Sequence, residues 1–415
     1  MRLTIVALFA ALVLATLGPV WGAESRPNAI DVRVDHLSSQ TLLTSPATVL
    51  VDSERQVAAR RLASLLFPGW LLSIVAPIVI LAYFWRSGTA ARLRDRIRRL
   101  PGGEIATRFR FGAALGLIVR LSAFLPEFYI YRLERMMSLS DQLLRAWMTE
   151  WLVNTLVIMA IVGAIVTVVL WLVDRTHQWY LYSTALVFVV CYGLVFVKPY
   201  IISPYYDRIA ALSPASAGVV QSLEKQAKSD VPVVEEVRSR THLGAAYVEG
   251  IGGSQRIVLG DVVPLVASTA ELRYIVATQL GYIAAGDPFR IALLNALCVV
   301  LGAALAVAIA DRIGFRRDDD PLARLALVAS LIGVMYLIVL PFHNASMRRL
   351  AREDNTYALQ LTGERAAAVR TVIRGADQGL HAVCPGVFET IFLAETDSPS
   401  ARVAAINGVR PACPK

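Results

Sequence analysis

The chain has 415 residues, of which 56% are hydrophobic and 18% charged, and its formal net charge is +9. Soluble domains are usually nearer half apolar, and here the excess lies in long uncharged runs, which excludes a wholly soluble protein. The basic excess is nearly all arginine and clusters beside those runs, so membrane topology explains it better than nucleic-acid binding does.

The N-terminal residues 1–22 are typical of a secretory signal peptide or of a first membrane span. Met1-Arg2 is followed by an apolar run to about Trp21, and the small residue Gly22 would allow cleavage before Ala23. Residues 23–68 form a polar, mixed N-terminal segment.

Six further apolar runs are each near the length that crosses the hydrocarbon core as a helix. They predict six spans, or seven if the N-terminal run is retained. The first four form a membrane region at 69–197 and the last two lie at 289–342, which leaves soluble stretches at 198–288 and 343–415. The runs are Gly69–Trp85, Phe111–Tyr129, Trp151–Val173, Tyr180–Val197, Ile291–Ala310 and Leu325–Phe342.

Arginine-rich loops predict the orientation in the membrane. Eight arginines crowd the loop between the first two of these spans, and four more precede the last span. Four crossings separate the two loops, so both can be cytoplasmic, as the positive-inside rule requires. The soluble stretches would then be extracytoplasmic, where Cys384 and Cys413 could pair. Against this orientation, Arg348, Arg349 and Arg352 directly follow the last span.

Arg120 lies inside an apolar run, where a charge is costly unless it faces a partner or a wet cavity. Two interpretations stay open. The arginine pairs with Glu127 about two turns along the helix, or it lines an internal chamber.

The soluble stretch 198–288 has an α+β pattern. A helix is predicted over Pro214–Ser229 and strands over Val233–Arg238, Ala246–Val248 and Arg256–Leu259. A second helix is predicted at 268–286 and ends near Gly286-Asp287-Pro288.

The helix at 268–286 has the setting of an H-E-x-x-H zinc motif but lacks the histidines and the glutamate of that motif. In such a motif two histidines at i and i+4 share one helix face and bind zinc, while the glutamate serves as general base. Thr278, Gln279 and Tyr282 hold these positions here. A threonine hydroxyl is a poor zinc ligand and glutamine cannot accept a proton. Tyrosine, with a pKa of about 10, offers little phenolate at neutral pH.

Several segments around this helix resemble the integral-membrane CAAX prenyl protease family, in the family's order and with its placement of spans. The resemblance covers about residues 53–402. It implies an α-helical polytopic membrane protein with an inserted α+β metallopeptidase-like domain of the gluzincin type, whose spans enclose a large chamber. The segments are Tyr131–Ser140, Pro204–Arg208, Arg256–Asp261, Thr278–Asp287 and Ser346–Gly363.

The resemblance assigns the family's catalytic positions to particular residues of this chain. The two histidine ligands correspond to Thr278 and Tyr282, the base to Gln279 and the third ligand to Ala351. The aspartate that supports a ligand corresponds to Asn355. With both histidines, the base and the third ligand replaced, no zinc site and no other cofactor are expected, although active relatives would use zinc.

The resemblance also assigns substrate-binding positions. The family's asparagine in the edge strand corresponds to Ala245, and its late arginine corresponds to Arg402, while Glu395 or Thr396 holds the late histidine position. Substrate contacts are therefore expected from Ala245, Ala246, Tyr247 and Arg402.

Together these observations predict a non-catalytic membrane homologue that binds or regulates membrane-associated peptides or proteins, with no nucleic-acid partner. A bacterial inner membrane is the expected location. Two alternatives stay open: an active endopeptidase with a relocated metal site, and a transport or scaffold role for the chamber. A relocated site would draw on scattered histidines, namely His36, His177, His242, His343 and His381.

Overall fold

The computed structural model describes residues 33–140, 142–202, 209–236, 246–260, 262–314 and 321–413. The N-terminal apolar run, residues 204–208, His242 and Ala245 lie outside the described residues.

Within the described ranges, six helices are long and apolar enough to cross a membrane. Each contains one of the apolar runs found in the sequence, so the predicted polytopic helical class is confirmed. The first begins at Ser53, where the Asp52 carboxylate accepts hydrogen bonds from the backbone of Glu54 and Arg55. Residues 53–68 of the polar segment 23–68 therefore belong to the helix of the first span. The spans are Ser53–Arg86, Gly103–Met136, Leu144–Arg175, Trp179–Tyr200, Asp287–Ile313 and Pro321–Thr362.

Shorter helices surround these spans. Thr89–Arg98 lies in the loop after the first span, and Arg33–His36, Ser39–Thr44 and Ala47–Leu50 precede that span. The inserted stretch contains the helices Pro214–Ala227, Val263–Val266 and Thr269–Ala284. The C-terminal part contains Arg365–Gln378, Val387–Phe392 and Pro399–Asn407.

The inserted stretch also forms a four-stranded mixed sheet. Its strands are β1 (Ile209–Ala211), β2 (Val233–Glu236), β3 (Ala246–Glu249) and β4 (Arg256–Leu259), in the order β1-β2-β4-β3. β2 and β4 are parallel, whereas the other two pairs are antiparallel. This sheet with its helices confirms the predicted inserted α+β part, and it places β3 at one edge.

The helix Thr269–Ala284, called the motif helix below, begins with a capping box. The Ser268 hydroxyl accepts a hydrogen bond from the backbone of Glu271, whose carboxylate accepts one from the backbone of Ser268 at 3.0 Å. This reciprocal pair satisfies two backbone donors that a helix start otherwise leaves unpaired.

A buried ion network joins the motif helix to the N-terminal helix Arg33–His36 and to the C-terminal helix Arg365–Gln378. The Arg374 guanidinium donates to the Glu271 carboxylate at 2.5 Å and to that of Asp35 at 3.1 Å, and Glu271 is fully buried. A buried charge is tolerated only when it is paired and hydrogen-bonded. The N-terminal segment, the motif helix and the helix Arg365–Gln378 are therefore locked together at this point.

The motif helix packs closely on the helix of the sixth span at Gly281. A Cβ atom at this glycine would lie 3.0 Å from the Tyr357 ring and 3.2 Å from the carbonyl oxygen of Asp354. The absence of a side chain thus sets the distance between the two helices.

Within the membrane region Arg120 pairs with Glu127 at 2.7 Å, which is the first of its two interpretations. Glu127 also accepts a hydrogen bond from the Trp151 indole at 2.8 Å, and the guanidinium lies 5.3 Å from the Trp151 ring centroid. The charge is therefore compensated between the second and third spans.

Cys384 and Cys413 form a disulfide with their Cα atoms 5.5 Å apart. Cys191 and Cys298, both in spans, are free.

Replacing Gly281 with valine is expected to lower the melting temperature in detergent. Overpacking of this kind costs about 1–3 kcal/mol. Gly375→Val is the matched control, because it also lies in a helix but a Cβ there meets nothing within 4 Å. Valine has the better helix propensity, so the control should melt no lower than the native protein. Equal melting temperatures for the two variants would contradict the close approach.

Candidate functional site

The motif helix presents one face to the helix of the sixth span. Tyr274, Thr278 and Tyr282 follow each other at four-residue spacing and therefore share that face. Ala351 and Asn355 lie one turn apart on the facing helix. The residues that the resemblance assigns to the first, second and third ligands therefore lie on these two facing helices.

A chain of hydrogen bonds crosses this interface. The Tyr274 hydroxyl donates to the Asn355 side-chain oxygen at 2.7 Å, and the Asn355 amide donates to the carbonyl oxygen of Ala351 at 2.6 Å. The Thr278 hydroxyl donates to the carbonyl oxygen of Tyr274 at 3.0 Å. Tyr274 therefore connects the first ligand position to the third.

The donor atoms at these positions do not fit a zinc ion. The Thr278 hydroxyl is engaged with its own helix, and Ala351 carries no donor. Burial raises the pKa of Tyr282 to about 12, and the charges of Asp287, Asp354 and Glu395 add to that effect. A phenolate, which is the form that binds metal, is therefore scarce at neutral pH.

Two buried aspartates lie near Tyr282. One Asp287 oxygen accepts a hydrogen bond from Arg290 at 3.1 Å. Its second oxygen, and one oxygen of Asp354, are buried without a hydrogen-bond partner within the described residues. Negative charge at these carboxylates opposes ionisation of the neighbouring tyrosine.

A cavity of about 220 Å³ opens at the third-ligand position. Ala351, Asn355 and Arg402 all line it, so the residue assigned to the late arginine shares a cavity with the one assigned to the third ligand. Burial raises the pKa of Tyr274, and the positive charge of Arg402 offsets part of that rise. The remaining wall consists of Arg352, Thr356, Leu359, Asp397, Ala405 and Ile406.

The predicted edge strand is β3, and it contains Ala246 and Tyr247. Both pair with β4, opposite Leu259 and Val258. Lys198 lies with its ammonium 5.8 Å from the Tyr247 ring centroid. The asparagine position itself, Ala245, falls outside the described residues, and the structure therefore leaves that assignment as a prediction.

The role of Tyr274 at this interface was not predicted from the sequence. Its side chain is buried and connects the motif helix to Asn355. A signal was present, because Tyr274 precedes Thr278 by one helical repeat and so shares its face. The burial of Asp354 was not predicted either, since it depends on the packing of the two helices.

No group of three or more His, Cys, Asp or Glu side chains within the described ranges is arranged to hold a metal ion. His36, His177, His343 and His381 all belong to these ranges, whereas His242 does not.

Comparison with known proteins defines the class. Residues 69–208 match the family model described as CAAX prenyl protease N-terminal, five membrane helices. The chain is 28% identical over 310 residues to an uncharacterized metalloprotease, YhfN, of Bacillus subtilis (strain 168), covering 70% of this chain and 72% of the relative. The crystal structure of S. mikatae Ste24p superposes with a TM-score of 0.72 at 16% identity, over 89% of this chain and 93% of that chain.

The fold and these matches define a membrane protein that is similar to metalloproteases. The resemblance found in the sequence is confirmed, and the chain is a homologue of the integral-membrane CAAX prenyl protease family.

Replacing Tyr274 with phenylalanine is expected to destabilise the protein by about 1–3 kcal/mol, because the Asn355 oxygen then loses its donor. The double variant Tyr274→Phe/Asn355→Leu should recover much of this loss, since removing both partners leaves no polar atom unpaired. Thermal unfolding in detergent measures both. If the two substitutions instead destabilise the protein additively, the side chains of Tyr274 and Asn355 do not interact, and the hydrogen bond between them is contradicted.

Proposed function

We propose that the chain is a catalytically inactive member of its class that binds membrane-associated peptides or protein segments. The observation that carries the proposal is the donor set at the helix interface. Thr278 bonds to its own helix, Tyr282 has a raised pKa, and Ala351 has no donor atom. On this proposal, the two helices keep the positions of a metal site whose ligands have been replaced.

The proposal also rests on the base position. Gln279 is close to glutamate in size and shape, but its amide cannot take a proton from an attacking water. Even a metal bound elsewhere would therefore lack the general base that the motif normally supplies.

Groups that could hold a peptide, in contrast, are present. β3 lies at the sheet edge, and an extended peptide can add to such an edge through backbone hydrogen bonds. Arg402 and Asn355 line the cavity described above and offer donors to carbonyl or carboxylate oxygens. Binding without cleavage would suit a regulatory role toward membrane-associated peptides or proteins.

We place the soluble part on the extracytoplasmic side of a bacterial inner membrane. The Cys384–Cys413 disulfide favours an oxidising compartment. The helix Thr89–Arg98 carries four arginines of the loop after the first span, which favours a cytoplasmic position for that loop. The bacterial relative supports the bacterial assignment.

Two of the three arginines that argued against this orientation, Arg348 and Arg352, have partners in the C-terminal part. Arg348 donates to the carbonyl oxygens of Thr390 and Ala394, at 2.8 and 2.7 Å. Arg352 forms a bidentate pair with Asp397, at 2.5 and 3.0 Å. Their presence after the last span is therefore explained by packing of the C-terminal part.

Purified native protein is expected to show no chelator-sensitive cleavage of a diverse peptide mixture analysed by mass spectrometry. The combined variant Thr278→His, Gln279→Glu, Tyr282→His and Ala351→Glu should bind zinc and gain cleavage, since the fold already brings these positions together. The matched control restores the three ligands and keeps Gln279, and it should bind zinc without comparable cleavage.

Two results would count against different parts of the proposal. Cleavage by the native protein that stops on chelation would show that it is an active enzyme. A folded quadruple variant that binds no zinc would show that the ligand positions were assigned wrongly.

A further inference from the structure

The short helix Val387–Phe392 presents an apolar surface outward. Val387 and Phe388 expose 72% and 67% of their surface, while Glu389, the one charged residue of the helix, is half-buried. Two large adjacent apolar residues facing outward are unfavourable in water. The arrangement therefore requires something that covers them.

The same helix continues an aromatic cluster on the first span. The Phe388 ring lies 6.2 Å from that of Phe67, and the Phe392 ring lies 6.4 Å from that of Trp70. Phe67 and Trp70 themselves stack at 5.9 Å. The exposed surface of the short helix is thus continuous with the membrane-facing surface of a span.

The position of this cluster along the spans matches the edge of the hydrocarbon core. Phe67 and Trp70 lie where the apolar run of the first span begins. Phe342, which is 72% exposed, lies where the apolar run of the sixth span ends. Aromatic side chains are enriched at this level of a bilayer, between the acyl chains and the headgroups.

The backbone of the short helix is adapted to a site with little water. The last carbonyl groups of any helix have no partner within it. Here Asn344 donates to the carbonyl oxygen of Ile391 at 3.1 Å, and Arg348 donates to those of Thr390 and Ala394. Side chains of the sixth span therefore satisfy the groups that would otherwise need solvent, as a low-dielectric environment demands.

We propose that the helix Val387–Phe392 inserts its exposed face into the interfacial region of the phospholipid bilayer that the spans cross. The segment that follows leads to Asp397, which lines the cavity and pairs with Arg352. Insertion thus holds one wall of the cavity at the membrane surface, within reach of a ligand that is itself membrane-associated. This inference does not depend on the absence of catalysis.

The test uses the full chain reconstituted in phosphatidylcholine vesicles. Phe388→Cys and, as a second position, Val387→Cys are labelled with an environment-sensitive fluorophore in a Cys191→Ser/Cys298→Ser background, without reductant so that the disulfide is kept. Val409→Cys is the matched control, because Val409 is also exposed, at 58%, but follows a helix of the soluble core. Lipids with brominated or spin-labelled acyl chains and aqueous iodide serve as quenchers.

Labels at positions 387 and 388 should be quenched several-fold more by the acyl-chain quenchers than the label at position 409, with the reverse order for iodide. The result should not change with the ratio of protein to lipid. Iodide quenching at 387 and 388 equal to that at 409 would overturn the proposal. Protection that appears only at high protein density would also overturn it, since the covering surface would then be a second copy of the chain.

Discussion

The close packing of the motif helix on the helix of the sixth span is the constraint on which the rest of the structure depends. Gly281 permits it, because any side chain there would meet the Tyr357 ring and the backbone of Asp354. This contact ties the soluble α+β part to the helix of the sixth span, next to Tyr282, which the resemblance assigns to a metal-ligand position. At this interface hydrogen bonds run from Tyr274 to Asn355 and from Asn355 to Ala351.

If the metal ligands were replaced, as we propose, these hydrogen bonds explain how the fold persists without them. A metal ion joins helices through ligands, and its loss would leave buried donors and acceptors unpaired. Here a buried tyrosine and an asparagine satisfy each other across the same interface. The capping box of Glu271 and its ion pair with Arg374 fix the start of the motif helix independently. Hydrogen bonds and an ion pair therefore join the motif helix to the helices around it, as a zinc ion would do in a metal-binding relative.

Much of this architecture could be predicted from the sequence, for identifiable reasons. Each span could be predicted from the length and hydrophobicity of its apolar run. Thr278, Gln279 and Tyr282 could be assigned because their spacing within one helix is fixed. What could not be predicted depends on contacts between residues distant in sequence. Asp35 and Arg374 pair across 339 residues, and nothing local to either residue signals that partner. The extension of the first span back to Ser53 was hidden because its polar residues pack against the C-terminal part rather than lipid, as Arg55 does with the carbonyl oxygen of Asp377.

Zinc content measured on the untagged native protein most directly tests whether the metal has been lost. The protein would be expressed with added zinc, purified in detergent without chelator, dialysed against zinc-free buffer and analysed by inductively coupled plasma mass spectrometry. The donor set predicts zinc far below stoichiometry, at the level of a Thr278→Ala/Tyr282→Phe variant prepared in parallel. Stoichiometric zinc in the native protein that this variant loses would contradict the account.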